Sequence, residues 1–189
     1  MADKTSIHKV RIDLSNIDQH RYEQLCFTAA RGSKESYEHL IMRLLAYSMV
    51  PESRLAFGNG VNGADTGLGL SPDVMVKDYD DHYIYWIDVG FPQVERIKKA
   101  SALADHVIVF SINNSQWVAD NQNDLLQWSN VQLILFDEAM LTQLASELGR
   151  SIHWSLVVDG EKIGVSTGQD YCESVINRIN HPQQLLLAC

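Results

Sequence analysis

The segment that decides the fold runs from Pro72 to Lys99. It holds two apolar runs, each with one aspartate at an end, and a basic stretch: Pro72-Asp73-Val74-Met75-Val76, then Tyr83-Ile84-Tyr85-Trp86-Ile87-Asp88-Val89, then Arg96-Ile97-Lys98-Lys99. Residues 77–81 are polar and predict a turn, so the two runs are expected to pair as a hairpin. This pairing would bring Asp73 and Asp88 together. Pro92 predicts the start of a helix that continues to about Leu103.

Two neighbouring carboxylates supply the hard oxygen ligands that Mg²⁺ or Mn²⁺ prefers. A basic helix beside them could stabilise an anionic transition state. Arg96 and Lys99 lie three residues apart on one flank of the predicted helix, whereas Lys98 projects from the opposite flank. Glu38, at the edge of an earlier helix, is the candidate third carboxylate. Each residue also has an ordinary structural explanation. Asp73 could be a turn residue, Asp88 a solvent-facing charge at a strand end, and Glu38 a charge at the rim of its helix. Arg96 and Lys99 could form a solvated basic flank.

Apolar periodicity predicts the other elements. Val10, Ile12 and Leu14 alternate with polar residues and indicate a strand with one wet face. A helix is expected from an N-cap at Ser33 to Met49, with Glu35 in its first turn. Further strands are expected at residues 22–29, 54–57, 107–110 and 131–136, helices around 118–128 and 138–148, and a hairpin at 153–158 and 162–165.

Residues 58–63 (Gly58-Asn59-Gly60-Val61-Asn62-Gly63) match the dinucleotide-binding fingerprint literally. That fingerprint needs a following helix whose N-terminus holds the pyrophosphate. Residues 64–69 include two glycines and do not favour a helix. The sequence therefore predicts a loop from Gly58 to Gly69, which could act as a lid over a nearby cleft.

Composition narrows the class of protein. The net charge is −9, from 15 basic and 24 acidic residues, which argues against tight, non-specific binding of nucleic acid but allows a local basic rim. No apolar run approaches the roughly 20 residues of a membrane helix, and the N-terminus lacks the apolar region of a signal peptide. Three scattered cysteines indicate reduced thiols and a cytoplasmic protein. Zinc-peptidase, serine-hydrolase and P-loop motifs are absent from the sequence.

Three groups of residues carry a resemblance to a known family: Glu38-x-x-x-x-Arg43-Leu44-Leu45-Ala46, Arg54-Leu55-x-Phe57, and Trp86-Ile87-Asp88-Val89-Gly90-x-Pro92-x-x-x-Arg96-Ile97-Lys98-Lys99-Ala100. On these residues nearly all of the chain resembles the bacterial YaeQ family, a variant of the PD-(D/E)XK nuclease superfamily. The resemblance implies an α/β fold with a restriction-endonuclease-like core, a central mixed β-sheet flanked by helices. We expect one domain over residues 1–189, with an added antiparallel β extension from the N- and C-terminal strands.

The resemblance also implies a divalent-metal-dependent nuclease or phosphodiesterase. Asp73 and Asp88 would hold Mg²⁺ or Mn²⁺, with Glu38 as a third ligand directly or through water. The superfamily pattern places a lysine two residues after the second carboxylate, where this chain has Gly90. Lys99, Arg96 or Lys98 would supply the cation instead, and helical angle favours Lys99 with Arg96. The alternative is a catalytically inactive binding or regulatory module on the same fold.

Overall fold

The computed structural model describes residues 5–58 and 71–180. Apart from Gly58, the predicted loop at residues 58–69 lies outside the described residues. The described residues form eleven strands and four helices, numbered in chain order: β1 Ser6–Asn16, β2 Arg21–Arg31, α1 Tyr37–Met49, β3 Ala56–Phe57, β4 Val74–Lys77, β5 Tyr83–Val89, α2 Val94–Leu103, β6 Ala104–Ile112, α3 Gln116–Leu125, β7 Val131–Phe136, α4 Glu138–Ser146, β8 Ser151–Asp159, β9 Lys162–Ser166, β10 Tyr171–Val175 and β11 Asn177–Ile179.

The first sheet combines the two N-terminal strands with β8, β9 and β10 in the order β10-β9-β8-β1-β2. Its alternating strands bury one face, as the spacing of Val10, Ile12 and Leu14 predicts. The prediction that N- and C-terminal strands combine is confirmed, but the expectation of a purely antiparallel extension is wrong. β1 pairs with β8 in parallel, with Ile12 beside Trp154. A hairpin turn would force β8 to be antiparallel to β1. Because a long crossover connects the two strands instead, a parallel arrangement is possible.

The second sheet has the order β11-β7-β6-β5-β4-β3. Its strands β5, β6 and β7 are parallel, and α2 and α3 form the connections between them. Helices therefore cover this sheet, which explains the continuous apolar runs of β6 and β7. β4 is antiparallel to β5, with Val74 opposite Ile87, so the predicted hairpin is confirmed. The architecture is mixed α/β.

The two sheets share a core. Residues of α1 and α4 pack between the buried face of the first sheet and one face of the second, in a cluster that includes Leu40, Leu44, Ile87 and Phe110. On the other face of the second sheet, α2 and α3 cover a separate cluster around Trp86. Because α1 has a sheet on either side, nine of its thirteen residues are buried.

Some predicted boundaries are wrong. The N-cap of α1 is Ser36, whose side chain accepts a hydrogen bond from the His39 N–H, so the helix begins later than a Ser33 cap would allow. Glu35 consequently precedes the helix. Pro92 comes before the Gln93 N-cap of α2 and is outside the first turn. In the described part of the chain, none of the helices is long and apolar enough to cross a membrane.

Candidate functional site

Asp73 and Asp88 meet in the second sheet where β4 begins and β5 ends. Asp73 immediately precedes β4, and Asp88 is the penultimate residue of β5. The backbone fixes this meeting, because the Asp73 N–H donates to the Ile87 carbonyl oxygen over 2.9 Å and the Val89 N–H donates to Asp73 Oδ2 over 2.9 Å. The exposed fractions of Asp73 and Asp88 are only 3% and 1%. Two carboxylates therefore share a nearly dry position at the carboxyl end of β5.

Arg96 compensates the charge of Asp88. Its Nε donates to Asp88 Oδ2 over 2.6 Å, and its Nη2 donates to Oδ1 over 2.7 Å, which is a bidentate, charge-assisted pair. Nη2 also donates to the Ser71 carbonyl oxygen over 2.6 Å. Burial by itself would lower the pKa of Arg96, but the hydrogen bond and charge of Asp88 and the charge of Asp73 raise it. The guanidinium is therefore a fixed positive charge at the site.

On the other side of Asp73, α1 presents a histidine that sequence analysis missed. His39 Nε2 lies 3.9 Å from Asp73 Oδ2, too far for a hydrogen bond but close enough for one water to bridge. His39 Nδ1 lies 2.9 Å from Glu35 Oε1, and because a carboxylate can only accept, Nδ1 carries the proton. In the neutral ring this leaves Nε2 as an acceptor that faces Asp73.

Glu35 anchors this histidine. Burial would raise the pKa of Glu35, but His39, Arg43 and the Gly32 N–H together lower it from 4.5 to about 2. Arg43 Nη1 lies 3.0 and 3.2 Å from the two carboxylate oxygens of Glu35, and the Gly32 N–H donates to Oε2 over 2.8 Å. The carboxylate is thus ionised and held in place. Glu35, His39 and Arg43 follow one another at intervals of four residues, and this spacing was the sequence signal that could have identified the group.

Asp73 differs from Glu35 in its electrostatics. Burial raises the pKa of Asp73, the charge of His39 would lower it, and the neighbouring charge of Asp88 raises it further, so that the net direction is upward. Its one backbone donor, the Val89 N–H, does not offset the burial. An ionised Asp73 therefore favours an additional cation or proton nearby.

None of the remaining predicted residues forms a hydrogen bond or ion pair with Asp73 or Asp88 within the described ranges. Glu38 is partly exposed in the first turn of α1, and among the described residues no hydrogen bond or ion pair joins it to Asp73 or Asp88. Lys98 and Lys99 are exposed on α2 and make no ion pair with either aspartate within residues 71–180. In the described ranges there is no group of three or more His, Cys, Asp or Glu residues arranged to hold a metal.

Gly90 stands where the resemblance led us to expect a lysine, and the backbone conformation at this position favours glycine. Its φ is +84°, a conformation that side chains rarely adopt, and its N–H donates to the Phe110 carbonyl oxygen over 2.8 Å. A Cβ at this position would lie 3.4 Å from His39 Cδ2. A lysine here would therefore have a strained backbone, with its Cβ in van der Waals contact with the histidine ring.

The sequence matches a known protein family over most of the chain. A family model described as "YaeQ protein" matches residues 1–176. The chain is 26% identical to "Uncharacterized protein YaeQ" of Salmonella typhi, over 96% of this chain and 99% of the relative. It is also 26% identical to the protein of that name from Escherichia coli K12, over 92% of this chain and 94% of the relative.

Solved structures have the same fold. The crystal structure of YaeQ protein from Xanthomonas axonopodis pv. citri superposes with a TM-score of 0.86 at 21% identity, covering 95% of this chain and 100% of the other. The YaeQ protein of Pseudomonas syringae gives a TM-score of 0.84 at 24% identity, covering 93% of this chain and 96% of the other. At these identities the likeness concerns the fold alone.

Proposed function

The chain belongs to the YaeQ family, and on that premise we propose that Asp73 and Asp88 form the centre of a divalent-metal-dependent phosphodiesterase of the PD-(D/E)XK type that acts on nucleic acid. The observation that carries the proposal is the buried pair of carboxylates, with one guanidinium fixed beside it. In this proposal the second sheet with its flanking helices is a restriction-endonuclease-like core.

The donor set suits Mg²⁺ or Mn²⁺. Mg²⁺ usually keeps several waters and binds one or two protein carboxylates together with substrate phosphates, so a third protein ligand is not required. Each oxygen of Asp88 accepts one hydrogen bond from Arg96 and retains a second lone pair. The raised pKa of Asp73 also favours a cation beside it. Glu38 would contribute only through water.

A bound divalent ion would lower the pKa of a coordinated water and draw charge from the phosphate. The residues of the chain then have separate tasks. Arg96 is fixed by Asp88 and Ser71, while its Nη1 donates no hydrogen bond within the described residues and its side chain is 16% exposed. Nη1 is therefore available to bind a phosphate oxygen. Lys99 on the exposed flank of α2 would attract the nucleic-acid backbone, with Lys98 nearby in the chain.

His39 has a task that depends on Glu35. With its proton held on Nδ1, the ring can accept a proton at Nε2 from a water near Asp73. The ionised Glu35 would stabilise the imidazolium that forms, while Arg43 keeps Glu35 in position. His39 is thus a positioned base in this proposal.

A second candidate is a catalytically inactive module that uses the same fold for binding or regulation. The bidentate Asp88–Arg96 pair favours it, because this pair already neutralises Asp88 without a metal. The net charge of −9 points the same way for a nucleic-acid substrate. The two candidates differ in whether the site binds a metal.

Calorimetric titration with Mn²⁺ separates the candidates, followed by incubation of the protein with Mg²⁺ or Mn²⁺ and DNA or RNA substrates. Asp73→Asn and Asp88→Asn should each abolish Mn²⁺ binding and cleavage. Asp80→Asn is the matched control, since Asp80 is exposed in the turn of the same hairpin. Cleavage that survives Asp88→Asn would come from a contaminating nuclease. Failure of the unmodified protein to bind millimolar Mn²⁺ would leave only the inactive module.

A further inference from the structure

The first sheet has one long open edge. This sheet ends at β10 on one side and at β2 on the other, and the second sheet ends at β11 and β3. The strands β3, β11 and β10 contain two, three and five residues, whereas β2 contains eleven. Short edge strands are one means by which proteins avoid pairing with other chains. Within the described ranges, β2 is therefore the edge best suited to receive another strand.

β2 also lacks the other usual protections of an edge. Residues 22–28 contain no proline, and their only charged residue is Glu23. The pairing with β1 is continuous from Arg21 to Arg31, so no bulge twists the edge away from a partner. An edge that is long, regular and weakly charged is a template for the addition of a strand.

The hydrogen bonds of β1 show which residues of β2 face outward. The Lys9 N–H donates to the Arg150 carbonyl oxygen over 2.9 Å, toward β8. Lys9 stands opposite Thr28, so no backbone hydrogen bonds join these two residues, and the N–H and C=O of Thr28 point away from β1. The same alternation makes Ala30 face outward, and its carbonyl oxygen indeed accepts from Arg43 Nη1 over 3.1 Å. The outward residues without such a side-chain donor are Tyr22, Gln24, Cys26 and Thr28.

Partly exposed apolar side chains lie beneath this edge. Leu25 and Phe27 are partly buried on the inner face of the sheet. The Phe27 ring lies 4.4 Å from the ring of Tyr47 and 5.6 Å from that of Phe57, and the last two rings are stacked 4.8 Å apart. Tyr47 and Phe57 are also only partly buried. Aromatic residues of this kind are enriched in protein–protein interfaces, and a strand added to β2 would cover more of them.

The open stretch of β2 is complementary to itself. Leu25 is the centre of residues 22–28, so a two-fold axis at Leu25 would place a second copy of β2 antiparallel to the first. Tyr22 would then stand opposite the partner's Thr28, and Gln24 opposite the partner's Cys26. These are pairs of outward residues, so each of their N–H groups meets a carbonyl oxygen of the other copy. The register uses all four free outward residues of each chain.

Charge and symmetry favour a second copy as the partner. In this register Glu23 would stand opposite the partner's Phe27, so no two like charges face each other along residues 22–28. Leu25 would face the partner's Leu25 on the side of the core. Two-fold contacts are the commonest arrangement of homo-oligomers. We propose that the chain forms a homodimer through β2, in which the first sheets of two copies join into one continuous sheet.

Disulfide formation tests the register. The Cα atoms of the two Leu25 residues would lie about 4.5 Å apart, within the range of a disulfide. Leu25→Cys, in a chain that also carries Cys26→Ser and Cys189→Ser, should therefore oxidise to a linked dimer on a non-reducing gel. Thr28→Cys in the same background is the matched control, because its two copies would lie six residues apart along the strands, about 20 Å, and should stay unlinked.

Sedimentation equilibrium tests the association itself. The unmodified chain should have twice the monomer mass of 21.3 kDa. Cys26→Pro removes an outward N–H that β1 does not use, hence two interface hydrogen bonds per dimer, and should weaken association at least about tenfold. Cys26→Ser keeps this N–H and should dimerise like the unmodified chain.

The two measurements separate the possible outcomes. A monomer mass at every soluble concentration would overturn the proposal and would leave the edge of β2 to a strand from a different protein. A dimer that is unaffected by Cys26→Pro, or that is linked as readily through Thr28→Cys as through Leu25→Cys, would use another surface and would also overturn it. The disulfide test does not depend on whether the proline variant folds.

Discussion

Replacement of Arg96 by methionine should strongly destabilise the fold. Methionine retains much of the packing of the arginine stem but removes both hydrogen bonds to Asp88, whose side chain is 1% exposed. Charge-assisted bonds contribute about 1.5 to 3 kcal/mol each, and removing one partner of a buried pair costs about 3 to 5 kcal/mol. Because the side chain of Arg96 is 16% exposed, we expect a loss of about 3 kcal/mol.

Urea denaturation at pH 7 measures this loss, with Lys99→Met as the control because Lys99 is exposed on the same helix. The control should stay within about 0.5 kcal/mol of the unmodified chain. Adding Asp88→Asn to Arg96→Met should recover part of the loss, since no unpaired charge then remains buried. A loss below about 1 kcal/mol, or a double variant whose losses simply add, would refute the view that Arg96 is needed to hold Asp88.

Three further predictions concern the surroundings of the site. The pKa of Glu35 is lowered from 4.5 to about 2, so its ionised form contributes fully to stability above pH 4.5, and this contribution is lost as the pH falls from 4.5 toward 2. Glu35→Gln should therefore unfold with a free energy lower by about 2 to 3 kcal/mol at pH 7 but by only about 1 kcal/mol at pH 3, and a difference independent of pH would contradict this. Gly58→Ala should cost about 1 to 3 kcal/mol, measured by thermal unfolding, because its Cβ would overlap the Pro72 carbonyl oxygen. Gly149→Ala should be nearly neutral, since the nearest neighbour of its Cβ, the Ser151 carbonyl oxygen, lies at 3.6 Å, and equal losses in the two variants would argue against the clash. Ser36→Ala should cost about 1 kcal/mol by removing the N-cap of α1, whereas Ser33→Ala should not, and the reverse order in chemical denaturation would restore Ser33 as the cap.

Strands whose apolar residues alternate regularly or form a continuous run were predicted from the sequence. The bounds of β5 and β7 agree with the apolar runs, and the alternation in β1 identifies its buried face. β10 and β11 are short and were not predicted. The parallel contact between β1 and β8 was also missed, because the residues of a strand determine which face is buried but not the direction of a distant partner.

The carboxylate pair of the candidate site was accessible from sequence, because a hairpin places Asp73 beside Asp88 whatever surrounds it. For the positive charge of the site, the sequence indicated α2 but did not decide which of its basic residues contacts the aspartates. Arg96, with its side chain turned inward, contacts Asp88, while Lys99 on the same helix is exposed, and that choice depends on packing around Trp86. His39 was missed because its importance comes from its contacts with Glu35 and Asp73, which lie in two separate segments of the chain, before α1 and before β4.

The parallel contact between β1 and β8 affects the order in which the chain can fold during synthesis. β1 and β2 emerge from the ribosome early, yet one edge of β1 has no partner until residues 151–159 have been made. Over that interval the nascent chain presents an open strand edge, to which another chain could add. The partner of this edge is more than 130 residues away, so its closure is a late and entropically costly step. Nascent chains that stop before Ser151 should therefore be more sensitive to proteolysis in β1 than the full chain.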